Sequence, residues 1–140
     1  MCCPGWYPLD NLISNKTMER NVSKTVVLGA SVNPERYSHL AIQLLRNAGR
    51  EVLAVGPKPG RVADVDIQEL LPQAEGVDTV TLYLNPSNQR SYYEDILRLE
   101  PRRIIFNPGT ENPELEALAT ARGIEVQHAC TLVLVRTGQY

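Results

Sequence analysis

The stretch "VVLGASVNPERYS", residues 26–38, decides the fold. Three apolar residues run into Gly29 and Ala30, Ser31 opens a polar segment containing Arg36 and Ser38, and a helical pattern begins at Tyr37. A buried strand, an exposed turn and then a helix is the outline of a phosphate loop. The GxGxxG spacing of the standard dinucleotide fingerprint is absent.

Working outward, Tyr37, Leu40, Ala41, Leu44, Leu45 and Ala48 recur at helical spacing, and Gly49 supplies a stop. Short apolar runs at 25–28, 51–55, 78–84 and 103–106 read as strands, a fifth strand is expected at 124–127, and the run 132–135 fits a strand or a helical turn. Between them, Asp66 and Glu69 in capping-box spacing predict a short helix limited by Pro72. A further helix follows Pro86, with Tyr93, Ile96 and Leu97 inward and an end before Pro101. The last has Asn112 as cap, Pro113 at the first helical position, Leu115, Leu118 and Ala119 inward, and Gly123 past its end. Alternation of this kind predicts one α/β domain, doubly wound, with a mainly parallel sheet and helices on both faces, over residues 24–140. Residues 1–23, rich in Pro, Gly and Asn without a sustained period, read as an N-terminal extension or tail.

The chain has 140 residues, enough for a single core. Lys and Arg number 14 against 16 Asp and Glu, and the cations are scattered, so nucleic acid is not an expected partner. Apolar runs of four or five residues fall far short of the roughly 20 that span a bilayer. No signal-peptide pattern opens the sequence, and three cysteines are an odd number, so the expected location is cytoplasmic. The adjacent Cys2 and Cys3 have no CxxC partner, and no metal site is expected.

In a doubly wound sheet, ligands bind outside the carboxyl ends of the strands, where the strand order reverses. The segments to weigh are therefore 29–38, GPKPG at 56–60, NPSN at 85–88, NPGTENP at 107–113 and HAC at 128–130. In the first, Gly29 permits close backbone approach, Ser31 offers a hydroxyl, the helix start carries partial positive charge, and Arg36 adds a cation. Ser38 either caps the helix or meets phosphate. The plainer alternative is an ordinary strand-to-helix turn. The second strand ends Val55, Gly56, Pro57, Lys58, without the carboxylate that binds the ribose hydroxyls of NAD. A lysine there suits the extra phosphate of NADP or of coenzyme A, unless it is merely a solvated surface charge.

Signs of catalysis are sparse. His39 reads as solvated or cap-adjacent. His128 stands two residues before Cys130, a spacing compatible with an imidazole and thiolate pair, yet no third orienting group is evident. Glu111 and Glu114 suit a helix start better than acid–base work.

Together, GASVNPERYS, the GPK after the second strand, LNP, NPGTE, and Cys130 before the final apolar run resemble the small stand-alone CoA-binding proteins. That family is similar to the CoA-binding domain of the succinyl-CoA synthetase alpha subunit. The resemblance covers residues 24–140 and implies a Rossmann-like domain holding coenzyme A across the strand ends. It implies that Gly29, Ala30, Ser31, Arg36 and Ser38 surround the phosphates, with Pro57 and Lys58 near the adenosine. It places Asn85 and Pro86 at the middle, Pro108, Gly109 and Thr110 on the pantetheine side, and Cys130 near the thiol. Asn85 replaces a frequent arginine of the family, Asn107–Pro108 a Gln-containing turn, and His128–Ala129 an acidic and basic pair. The expectation is a binder of coenzyme A or a short acyl-CoA, a carrier, sensor or regulator without chemistry of its own. The alternatives are an NADP-dependent reductase, a thiol-using CoA transferase, or a scaffold acting through Tyr92, Tyr93 and the C-terminal RTGQY. A homodimer or a partner enzyme stays open.

Overall fold

The computed structural model describes residues 24–140. The expected extension at 1–23, with Cys2 and Cys3, lies outside the described residues. In chain order the elements are β1 (Lys24–Leu28), α1 (Tyr37–Asn47), β2 (Glu51–Val55), β3 (Gly60–Val62), β4 (Val65–Gln68), β5 (Val77–Leu82), α2 (Pro86–Gln89), a 3-10 turn (Arg90–Tyr92), α3 (Tyr93–Arg98), β6 (Arg103–Phe106), α4 (Pro113–Ala121), β7 (Glu125–His128) and α5 (Thr131–Arg136). They form one seven-stranded sheet in the order β3-β4-β2-β1-β5-β6-β7. Every pairing is parallel except β3 with β4.

β1 is the pivot. After it the chain builds β2 and then β4 to one side, and afterwards crosses to lay β5 against the other side of β1. Loops leaving β1 and β5 therefore diverge at the carboxyl edge, which makes a topological switch point. Both faces of the central strands are covered, so they read as continuous apolar runs. Val26 and Leu28 pack with Ile96 and Leu97 of α3 and Leu115 and Ala119 of α4. Val27 points the other way, toward Ile42 and Leu45 of α1 and Val135 of α5. This is the doubly wound α/β fold expected from the sequence.

Four local expectations are corrected. The helix expected at 66–71 is absent: residues 60–68 form the β3–β4 hairpin, because Val62, Val65 and Ile67 alternate inward and are buried. Its two-residue turn uses Ala63 at φ 56°, a conformation that alanine rarely adopts and that the sequence does not announce. In α1 the buried stripe is Ser38, Ala41, Ile42 and Leu45, rotated from the expected one, and Tyr37 is 72% exposed. Arg36 occupies the N-cap of α1, so Ser38 is not the cap. Leu118 faces outward on α4, while Leu115 and Ala119 are buried as expected. The helix after Pro86 is present but divided by the 3-10 turn, with Ile96 and Leu97 buried. The run 132–135 is helical.

Candidate functional site

The five loops at the carboxyl edge are clasped to one another in sequence across the sheet. The amides of Gly29 and Ala30 both donate to the Val55 carbonyl, at 2.7 and 2.9 Å, which ties the first loop to the end of β2. Gly56 packs so closely on Ala30 that a Cβ at position 56 would collide with the Ala30 carbonyl oxygen. Gly29 adopts φ 101°, and a Cβ there would press on the Tyr83 backbone and the Leu84 side chain of the loop after β5. Glycine is thus required at position 29 both for its conformation and for the approach of the third loop.

The third and fourth loops are joined by a buried amide. Gln89, fully buried, donates from Nε2 to the carbonyls of Leu84 and Thr110, each at 2.8 Å. The fourth and fifth are joined by Asn107, whose Nδ2 donates to Thr81 Oγ1 at 2.7 Å and the Leu82 carbonyl at 2.8 Å. Its Oδ1 accepts from the Thr131 amide at 2.8 Å. Sequence reading named neither Gln89 nor Asn107 as a functional residue.

Within the first loop, Ser31 Oγ accepts from the Asn33 amide and Asn33 Oδ1 from the Glu35 amide, at 3.1 and 3.0 Å. His39 Nδ1 lies 3.2 Å from the Ser31 carbonyl, which holds the turn against α1. Among the described residues, the amides of Ser31, Val32, Tyr37 and Ser38 have no protein acceptor. The last two open α1, whose first turn holds no acidic residue, so the loop and helix start together offer donors and positive potential to an anion. Gly29 and Ala30, by contrast, shape the loop and have no amide to give. Arg36, Pro57 and Lys58 are exposed beside it.

Farther along the rim, Asn85 is exposed and caps α2, accepting from the Asn88 amide at 2.9 Å, with Pro86 next to it. Pro108 and Gly109 are exposed, and the Gly109 amide donates to Glu111 Oε1. Thr110 is buried, its hydroxyl donating to the Asn107 carbonyl at 2.7 Å, so it builds the loop. Cys130 is a free, half-buried thiol at the N-cap of α5. Beneath it, the Tyr83 hydroxyl faces Thr131 and Thr81 without a hydrogen bond of good geometry, and burial pushes its phenol well above the usual range. Tyr83 is therefore a neutral group.

His128 and Cys130 do not form a pair. The imidazole stacks on Phe106 at 5.5 Å and its Nε2 lies 2.9 Å from Glu116 Oε2. Glu114 accepts from the Tyr93 hydroxyl at 3.0 Å. Among the described residues no cluster of three or more metal-ligating side chains occurs, and no helix is long and apolar enough to cross a membrane. Two cavities of about 410 and 300 Å3 lie away from this rim, one lined by Leu71–Glu75 with Asp95, Arg98 and Leu99, the other by residues of α1, β2 and β4.

A parallel sheet whose switch point carries a preformed donor-rich loop, with a lysine in place of a carboxylate after β2, defines a Rossmann-like domain. The chain belongs to the CoA-binding domain family, which matches residues 23–136. It is similar to an uncharacterized protein of known crystal structure, with 50% identity and a TM-score of 0.81, covering 84% of this chain and 97% of that one. A Thermus thermophilus protein gives 25% identity and a TM-score of 0.74, covering 91% of this chain and 100% of its own. A hypothetical protein from Pyrococcus horikoshii gives the same identity and TM-score, covering 93% and 94%. No curated protein matches.

Proposed function

We propose that this chain binds coenzyme A or a short acyl-CoA across its five carboxyl-edge loops and acts as a carrier, sensor or regulator without chemistry of its own. The carrying observation is the pairing of amides at 31–32 and 37–38 that have no acceptor among the described residues with exposed cations at Arg36 and Lys58 and no carboxylate at residues 56–59 after β2. This donor set fits a pyrophosphate with a further phosphate on the ribose. Membership of the CoA-binding domain family supports that choice over NADP. The commitment of His128 to Glu116 and Phe106 supports binding without turnover, because Cys130 then lacks an adjacent base.

The test is isothermal titration with coenzyme A, dephospho-CoA and NADP in turn at one salt concentration. A clear preference for coenzyme A is expected. A preference for NADP would put a reductase in its place, and no binding by any of the three would remove the proposal.

A further inference from the structure

We propose that Gln89 is a positioning residue for the uncharged arm of the ligand, fixing the gap between the loops after β5 and β6; this rests on the coenzyme A reading above. The side chain is 0% exposed and three of its hydrogen bonds are accounted for. Both Nε2 hydrogens go to backbone carbonyls on different loops, those of Leu84 and Thr110. Oε1 accepts from Asn112 Nδ2 at 3.0 Å. Asn112 is itself fixed, since its Oδ1 caps α4 by accepting from the Glu114 and Leu115 amides and its Nδ2 also donates to the Tyr93 hydroxyl at 2.8 Å. One buried amide thus spans the two loops, reaching back to Leu84 in its own segment and across to Thr110, 21 residues further along the chain from Gln89.

The division of charge along the rim says which part of the ligand this gap serves. Arg36 and Lys58 stand on the loops after β1 and β2, and the amides without an acceptor among the described residues lie on the first of these and at the start of α1. Residues 83–86, 107–110 and 129–130 on the other three loops include no lysine or arginine. A ligand anchored by its phosphates over β1 and β2 must extend its neutral, amide-bearing arm over β5 and β6. Adjacent strands are about 4.8 Å apart, so this arm crosses two loops whose separation depends on Gln89. Without Gln89 the Leu84 and Thr110 carbonyls lose their shared donor, and each must turn toward another.

The experiment compares coenzyme A with adenosine 3′,5′-bisphosphate, which carries phosphates but no arm, by titration against the wild type and Gln89→Met. The expected result is a loss of about tenfold in affinity for coenzyme A with a change below about twofold for the bisphosphate. Equal loss for both ligands, or loss for neither, would overturn the assignment. Should Gln89→Met fail to fold, Asn112→Ser keeps a capping oxygen while removing the donor to Gln89, and a smaller selective loss is expected from it. Failure of the wild type to bind coenzyme A would overturn the functional reading and this inference with it. Binding by the wild type without selectivity in either variant would overturn the inference alone.

Discussion

The carbonyl oxygen of Ala30 stands where a Cβ on residue 56 would have to go. Gly56 is buried at the end of β2, and its own amide donates to the Gln68 carbonyl at 2.9 Å, so neither strand can give way cheaply. Gly56→Ala is expected to cost about 2–3 kcal/mol of stability, the scale of overpacking in a close-packed interior. Chemical denaturation measures it. A variant as stable as the wild type would mean that the first and second loops move apart freely.

Lys58 is expected to discriminate between ligands. Lys58→Ala should weaken coenzyme A by about tenfold and dephospho-CoA by less than about twofold, because the contact argued for is with the 3′-phosphate. Titration at fixed ionic strength reads the difference, since salt screens an exposed cation. Equal weakening of the two would place Lys58 elsewhere on the ligand or off it.

Asp78 gives stability a dependence on acid. Burial disfavours its ionised form, but hydrogen bonds from Arg102 and Thr79 outweigh that effect and hold the carboxyl below its ordinary value. Arg102 Nε lies 2.6 Å and Nη2 3.2 Å from the carboxylate, and Thr79 Oγ1 lies 2.6 Å from it. A group whose folded value is depressed stabilises the fold above its unfolded value, and the contribution is lost as pH falls through the folded one. Thermal stability should therefore drop below about pH 4, and Asp78→Asn should flatten that drop while lowering stability at neutral pH. Parallel pH profiles for the two proteins would exclude Asp78 as the source.

Tyr140 ties the end of the chain to its first described strand. Its hydroxyl lies 2.6 Å from Oγ1 of the fully buried Thr25, and its ring faces the guanidinium groups of Arg50 and Arg103 at 5.1 and 4.7 Å. Tyr140→Phe keeps the ring and should cost about 1 kcal/mol by leaving Thr25 unpaired. Tyr140→Ala should cost more, because two cation–π contacts go as well. Identical unfolding curves for the two variants would show that the ring contributes nothing.

What could be read in the sequence was what is local. Asn112, Pro113 and Gly123 punctuate α4 within a dozen residues, and the strand-turn-helix at 26–38 is written in adjacent letters. The β3–β4 hairpin was hidden because Asp66 and Glu69 imitate a helix start. The deciding alternation of Val62, Val65 and Ile67 has meaning only once β4 lies beside β2. The inward stripe of α1 differs from the sequence pattern for a similar reason: Tyr37 and Ile42 both fall at positions a helical stripe can use, and only the packing of Ile42 with Val27 chooses between them. In the site, the loops were legible as Gly, Pro and small polar segments. Gln89 and Asn107 were not, because their partners include carbonyls and hydroxyls more than 20 residues away.

The double acceptance by the Val55 carbonyl bears on how quickly a ligand is captured. With the amides of Gly29 and Ala30 already held and the turn braced by Ser31 and Asn33, the loop after β1 is shaped by its own hydrogen bonds. On the coenzyme A reading proposed above, association needs no rearrangement of this segment, and its rate is expected to follow diffusion and the steering of an anion by nearby cations. Differences in affinity among related ligands will accordingly be written in their residence times, set by what the distant arm finds after the phosphates have landed.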